Sequence, residues 1–325
     1  MLKCLYAGTL ALPAEAREAL ATHGVELVRK RLARPPRERE LQSAIANVDA
    51  VLAGAEPYTA KLIESAHRLK IIARTGIGYD AIDIRAAAAK GVIVTWTPIP
   101  ELASSVAEHT IALILASSRR IPFLDREVRQ GRWERSKWSG DISDLHGQTL
   151  GILGLGRIGK EVARRGGAFG MRVVYHDLRR MADAERELGV RYASFGELLE
   201  ISDILSLHIP LTPRTYNLID SKAISRMKST AVLVNTSRGA VVDESALAEA
   251  LRKGIIRGAA LDVMTEEPPS RKHVFYKLRD ELPSLILTPH LGAGRDAFRA
   301  MAGTAVADVI RVLGGEKPRY PLVAE

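Results

Sequence analysis

Short apolar runs alternate with helical stretches from the start of the chain. Leu2 to Tyr6, Val25 to Val28, Ala50 to Leu52, Ile71 to Ala73 and Val92 to Thr95 read as strands, and Ala14 to Thr22 reads as a helix between the first two. Strands alternating with helices predict an open α/β sheet. A long helical pattern then runs from Glu101 to about Gln130, with Val106, Ile111, Leu113, Ile114 and Leu115 on its apolar positions. Pro98 and Pro100 mark the break before it, a natural hinge. After a polar loop holding Trp133, Trp138 and Gly140, a second α/β series begins. Its strands are expected at Thr149 to Leu153, Arg172 to Tyr175, Ile204 to Leu207, Ala231 to Val234, Gly258 to Leu261 and Leu285 to Leu287. The helix Glu244 to Lys253 stops at Gly254, and the last helix, about Arg295 to Leu313, stops at Gly314 and Gly315. The tail beyond it is too short to be a domain.

Size and composition turn this pattern into two domains. A chain of 325 residues exceeds what one core usually serves, and 46% hydrophobic residues suffice to fill two. The single cysteine, Cys4, sits in the first apolar run and reads as a small buried hydrophobe. The N-terminal stretch lacks the pattern of a signal peptide, and no run of 18 apolar residues occurs, so a soluble cytoplasmic protein with no membrane partner is expected. A formal net charge of +9 raises nucleic acid as a partner. The basic clusters are small and scattered, however: Arg29 to Arg31, Arg34 to Arg39, Arg119 with Arg120, Arg164 with Arg165, and Arg179 with Arg180. Zinc-finger spacing and aromatic ribonucleoprotein motifs are missing. The charge reads as a solvated surface that attracts anionic metabolites; neither nucleic acid nor a metal is expected.

Gly154-Leu155-Gly156-Arg157-Ile158-Gly159 is a GxGxxG motif, weak alone and strong in its setting. It follows the strand Thr149 to Leu153, opens the helix Lys160 to Phe169, and precedes the strand Arg172 to Tyr175, which ends near Asp177. Gly154 permits the tight turn, Gly156 lets a pyrophosphate approach the backbone, and Gly159 lets helix and strand pack closely. The helix start, with Arg157 and Ile158, offers its N–H groups to the anion. Asp177 is expected to accept hydrogen bonds from ribose hydroxyls and to repel a 2′-phosphate, which favours NAD over NADP; Arg179 and Arg180 are the residues that would argue the other way.

Three chemically capable residues stand after successive expected strands: Arg238 in NTSRG, Glu267 in LDVMTEEP and His290 in TPHLG. Ligands of open parallel sheets bind beyond the carboxyl ends of the strands, so the three converge on one crevice. A guanidinium holds a carboxylate and polarises a neighbouring carbonyl oxygen. An imidazole exchanges the hydroxyl proton, and a carboxylate beside it orients the ring and favours imidazolium. This set suits hydride transfer on a hydroxy acid.

The succession GLGRIG, HIPLTPRT (His208 to Thr215), NTSRG, LDVMTEEP and TPHLG resembles the D-isomer-specific 2-hydroxyacid dehydrogenases over essentially the whole chain. The resemblance implies a catalytic triad of Arg238, Glu267 and His290. It implies cofactor contacts from His208, Pro210, Thr215, Thr236, Asp262 and Gly292, with Asp262 on the nicotinamide carboxamide. The loop Arg74 to Asp80 resembles the family loop that receives the substrate carboxylate, which implies substrate contacts from Gly76, Ile77 and Gly78 beside Arg238. Ala107-Glu108-His109-Thr110 resembles the start of the helix used in dimer contacts; that apolar helix is expected to exceed what one subunit buries, giving a homodimer. The implied architecture is a Rossmann cofactor domain, residues 100–291, inserted into a flavodoxin-like substrate domain made of 1–99 and 292–325, both doubly wound parallel-sheet α/β folds, with the active site in the cleft.

Ala53-Gly54-Ala55-Glu56-Pro57 and AEHT most resemble the phosphoglycerate dehydrogenase branch, in a short form without a regulatory domain. Gly54 stands about where several longer members carry a phosphate-binding arginine. The expected substrate is therefore a small anionic 2-oxo or 2-hydroxy acid of the 3-phosphoglycerate, glyoxylate or hydroxypyruvate type. An NAD(H)-dependent sensor or corepressor-like binding protein on the same fold is the alternative.

Overall fold

The computed structural model describes residues 1–8, 10–30, 38–278, 282 and 284–323. Of the basic clusters, Arg31 and residues 34–37 lie outside the described residues. The chain divides into two compact units, one formed by Met1–Leu102 with Gly294–Glu325 and the other by Ala103–Ala293.

The first unit is built on β1 (Leu2–Tyr6), β2 (Val25–Arg29), β3 (Ala50–Ala53), β4 (Ile71–Arg74) and β5 (Ile93–Thr95), ordered β5-β4-β3-β1-β2 and all parallel. That order is the flavodoxin-like winding. The tail adds an edge strand, Pro321–Leu322, antiparallel to β5. Helix Arg295–Leu313 returns to this sheet and buries Ala302, Ala305, Val306 and Val309 with Cys4, Tyr6 and Leu20 on one face. The other face is covered by Leu41, Ile45, Leu62 and Ile63. Cys4 is fully buried and burial pushes its thiol up to about 12, so it serves as a hydrophobe, as its apolar setting predicts.

The second unit carries seven parallel strands: β6 (Thr149–Leu153), β7 (Arg172–His176), β8 (Arg191–Tyr192), β9 (Ile204–Leu207), β10 (Val232–Asn235), β11 (Gly258–Leu261) and β12 (Leu285–Leu287), ordered β12-β11-β10-β9-β6-β7-β8. The chain winds outward in both directions from β6, so the order reverses beside it. This is the Rossmann arrangement, with its crevice at the reversal.

Two expectations about the long helix need correction. It is broken into Pro100–Ser118 and Ile121–Arg129, because Arg120 takes a left-handed conformation (φ 51°) and Pro122, which lacks an N–H, opens the second piece. Nor does its apolar face lack a core: Ala107, Ile111, Leu113 and Ile114 pack with Leu150, Ile152 and Tyr175 of their own unit. The exposed apolar side chains lie further on, at Ile121, Val128 and Trp133. No helix among the described residues is long and apolar enough to cross a membrane.

Candidate active site

All the functional candidates of the second unit stand at the carboxyl ends of its strands. After β6 comes the glycine loop. Gly154 has φ +94°, and a Cβ there would lie 2.7 Å from the His208 carbonyl oxygen; a Cβ on Gly159 would lie 2.1 Å from the Gly154 oxygen. Gly156 differs: it precedes helix Arg157–Ala168, and a Cβ there would meet nothing within 4 Å. Two of the glycines are thus needed by the turn itself, and the third faces open space at a helix N-terminus whose N–H groups carry no side-chain cap. These features fit a dinucleotide pyrophosphate.

Asp177, after β7, takes the Leu155 N–H on Oδ2 (2.8 Å) and the Leu178 N–H on Oδ1 (2.7 Å). It therefore clamps the glycine loop while keeping carboxylate lone pairs for a ribose. Arg180 is tied to Glu185 by paired hydrogen bonds of 2.8 to 3.2 Å, so its charge is already matched. After β9, the His208 ring meets Ser206 Oγ at 2.8 Å, and burial pushes its pKa down to about 3. Thr215 closes the following loop, its hydroxyl donating to the Pro210 oxygen (2.7 Å) and accepting from Thr212 N (2.8 Å).

The chemistry gathers after β10, β11 and β12. Buried Asn235 ends β10 and shapes the next turn, accepting from Ser237 N (3.0 Å) and donating to the Arg238 oxygen (2.9 Å). Arg238 follows, partly buried, with Nη1 donating to the Ser237 oxygen at 2.7 Å. Gly239 then allows the loops after β10 and β11 to touch, since a Cβ there would lie 2.0 Å from the Met264 carbonyl carbon. Asp243 caps helix Glu244–Arg252 by accepting from Ala246 N.

Glu267 accepts from Met264 N on Oε1 (3.0 Å) and meets His290 Nδ1 with Oε2 at 2.6 Å. That distance is short for an N–H···O hydrogen bond. With Nδ1 engaged, Nε2 is the nitrogen left to the exterior, on a side chain 43% exposed. His290 holds a left-handed backbone (φ 55°), uncommon for a residue with a Cβ. Asp262 enforces it. Its own carbonyl accepts from His290 N (2.7 Å), while its carboxylate collects Leu291 N (2.9 Å), Gly292 N (2.9 Å) and the Thr288 hydroxyl (2.6 Å). Burial would raise this carboxyl's pKa, but hydrogen bonds from His109, Thr288 and the Leu291 N–H outweigh burial and lower it.

His109 is the member of this set that sequence reasoning missed. The AEHT segment resembles a dimer-contact helix, yet the His109 ring reaches inward, Nε2 standing 3.2 Å from Asp262 Oδ1 and 3.2 Å from Thr288 Oγ1. Next to it, Thr110 Oγ1 meets Thr236 Oγ1 at 3.0 Å. Glu244 was also missed: it accepts from Thr265 N (2.8 Å) and pairs with His273 (3.1 Å), steadying the loop that carries Glu267.

In the first unit, Gly76, Ile77 and Gly78 follow β4. Arg74 lies under them, donating to the Gly78 oxygen (2.7 Å), the Thr75 oxygen (3.0 Å) and the Ala53 oxygen (3.2 Å). A guanidinium beneath a turn of main-chain amides suits an anion. In the loop after β3, Glu56 folds back so that its carboxylate accepts from Gly54 N (2.8 Å), and it is only 9% exposed.

Comparison with known proteins agrees with this geometry. Residues 111–292 match the family model of the D-isomer specific 2-hydroxyacid dehydrogenase NAD binding domain. A glyoxylate reductase of Korarchaeum cryptofilum is 41% identical over 289 residues, covering 87% of this chain and 85% of its own. A D-3-phosphoglycerate dehydrogenase of Mycobacterium bovis is 41% identical over 283 residues, 86% of this chain; the chain spans about half (52%) of that longer relative. The D-lactate dehydrogenase of Aquifex aeolicus, solved with NAD and lactic acid, superposes with a TM-score of 0.84 at 30% identity, covering 97% of this chain and 96% of its own. The chain belongs to the D-isomer specific 2-hydroxyacid dehydrogenase family, a family of NAD-binding oxidoreductases.

Proposed function

We propose that this chain interconverts a small, unphosphorylated 2-oxo acid and its D-2-hydroxy acid, of the glyoxylate or hydroxypyruvate type, with NAD(H). The observation that carries this reading is the 2.6 Å contact between His290 Nδ1 and Glu267 Oε2, with the loop that presents Arg238 packed against the loop of Glu267. Nicotinamide, when bound, supplies the hydride in reduction and takes it in oxidation. Gly154, Gly156, Gly159 and the helix start at Arg157 and Ile158 are assigned to the pyrophosphate, and Asp177 to the ribose. His208, Pro210, Thr215, Thr236 and Gly292 border the remaining cofactor. Asp262, whose carboxylate is spent largely on the chain, contributes by holding the His290 loop.

Arg238 grips the substrate carboxylate and draws electron density from the C2 oxygen. His290 gives its Nε2 proton to that oxygen in reduction and removes it in oxidation, while Glu267 fixes the ring through Nδ1 and stabilises its positive form. Gly76, Ile77 and Gly78 are assigned to the substrate carboxylate.

Against a phosphorylated substrate stands the Gly54 region. Where the resemblance places a phosphate-binding arginine, this chain has glycine, and the Gly54 N–H is taken up by the carboxylate of Glu56, a charge of the same sign as phosphate. NADH oxidation measured with glyoxylate, hydroxypyruvate and 3-phosphohydroxypyruvate tests the proposal. Turnover is expected with one of the first two at a kcat/KM above that for the phosphorylated acid. Turnover confined to 3-phosphohydroxypyruvate overturns the substrate assignment, and turnover of no 2-oxo acid leaves the chain a binding protein.

A further inference from the structure

The opposite edge of the second sheet carries a feature that the proposed chemistry does not use. At the amino ends of β6, β9, β10, β11 and β12 a cavity of about 640 Å³ opens, lined by Ser117, Arg120, Ser143, Thr230, Arg257 and Ser284 among others. All of it lies within one unit. Its walls are hydroxyl-rich, and two guanidinium groups face it.

Arg257 is the informative residue. It donates to two neutral oxygens, the Ser143 hydroxyl and the Asp141 carbonyl, and among the described residues it forms no ion pair. Burial pushes its pKa down, the positive charge of Arg120 pushes it the same way, and the nearby Asp141 carboxylate offsets them only in part. A partly buried guanidinium beside a second cation is costly unless an anion compensates it. Arg120 is held there by unusual means, in a left-handed backbone that breaks the helix, with its guanidinium stacked 4.3 Å from the centre of the Phe123 ring. The carboxylates on the same wall are occupied: Asp141 pairs with Arg120, and Asp203 pairs with Lys228 at 2.7 Å and accepts from Thr149 N at 2.8 Å. Ser117 adds an independent sign. Among the described residues its hydroxyl oxygen, buried in the cavity wall, has no hydrogen-bond partner, a state that a bound acceptor would relieve.

We propose that this cavity is a binding site for a small oxyanion, a phosphate or a carboxylate, with Arg120 and Arg257 as its cations and Ser117 as a hydroxyl donor. The site lies across the sheet from the His290 loops and stands apart from the proposed reaction. Guanidinium groups bind both oxyanion types through paired N–H donors, and they bind them far better than a halide.

Calorimetric titration of the folded chain with inorganic phosphate, and separately with succinate, identifies which oxyanion the site takes; chloride at equal ionic strength is the control. Because Arg238 also attracts anions, the same titrations are run on Arg238→Gln. Binding of phosphate or succinate is expected in the native chain and in Arg238→Gln, and it should weaken at least about tenfold in Arg257→Gln, as loss of a charge-assisted contact implies. Arg257→Lys, which keeps the charge, should retain part of the affinity, and Ser117→Ala should weaken binding with little change in fold. Equal affinity in Arg257→Gln, or no binding of either oxyanion by the native chain, overturns the proposal. A crystal in which a carboxylate of a second copy occupies the cavity overturns it as well, since the compensating charge is then the protein's own.

Discussion

Glu267, His290 and Asp262 show how single residues carry the account. Asp262 gathers two main-chain amides and one hydroxyl from the loop after β12, and His290 is thereby held in a left-handed backbone facing Glu267. Asp262→Ala leaves those buried donors unsatisfied, so unfolding by urea is expected to show a loss on the order of 3 kcal/mol; an unchanged midpoint would mean that the loop holds itself. His208 makes a prediction about pH. Its pKa is about 3 in the folded chain, below the ordinary 6.5, so the unfolded chain binds the extra proton between those values. Stability from this residue is present above pH 6.5 and is lost as pH falls toward 3. The native chain should therefore lose stability more steeply over that window than His208→Gln, by up to about 1.4 kcal/mol per pH unit. Parallel slopes in the two proteins would contradict the burial of His208. The residues with standing in a motif, Arg238, Glu267 and His290, were legible because each follows an apolar strand. His109 was not, because its partners Asp262 and Thr288 are far away in the chain and leave no local spacing to read.

At the scale of elements, the glycine loop separates what folding needs from what a ligand needs. Gly159 is packed against the Gly154 oxygen, while Gly156 faces open space. Gly159→Ala should therefore destabilise the chain by about 1 to 3 kcal/mol, the usual cost of overpacking. Gly156→Ala should change stability by less than about 0.5 kcal/mol yet weaken NADH binding, measured by fluorescence titration, at least about tenfold, since a methyl group then stands where a pyrophosphate approaches the backbone. If the two variants behave alike, this division of roles is wrong. The longer strands of both sheets were visible in advance because each is a short apolar run bounded by turns. The break at Arg120 escaped notice because apolar positions continue through it, and two-residue edge strands such as β8 and Pro321–Leu322 are too short to show any period.

For the whole molecule, the two parallel sheets and the family followed from the order of motifs, and the comparisons agree. Assembly is a separate expectation. Ile121, Val128 and Trp133, 53%, 44% and 80% exposed, place apolar surface on one short stretch of the second unit, the kind of surface a subunit contact covers. Light scattering is expected to give twice the chain mass of 35.4 kDa, and Trp133→Glu should shift the population toward the single chain. A native mass of one chain at micromolar concentration would remove the dimer from the account. The central claim is that Glu267 and His290 act as one acid–base pair, and the most direct measurement is the pH dependence of 2-oxo acid reduction by NADH in the native chain, Glu267→Gln and His290→Ala, under conditions where chemistry limits the rate. The account predicts a fall of about 10² to 10⁴ in kcat for His290→Ala and, for Glu267→Gln, an alkaline limb displaced to lower pH. Native rates in His290→Ala, or an alkaline limb unmoved in Glu267→Gln, would contradict it.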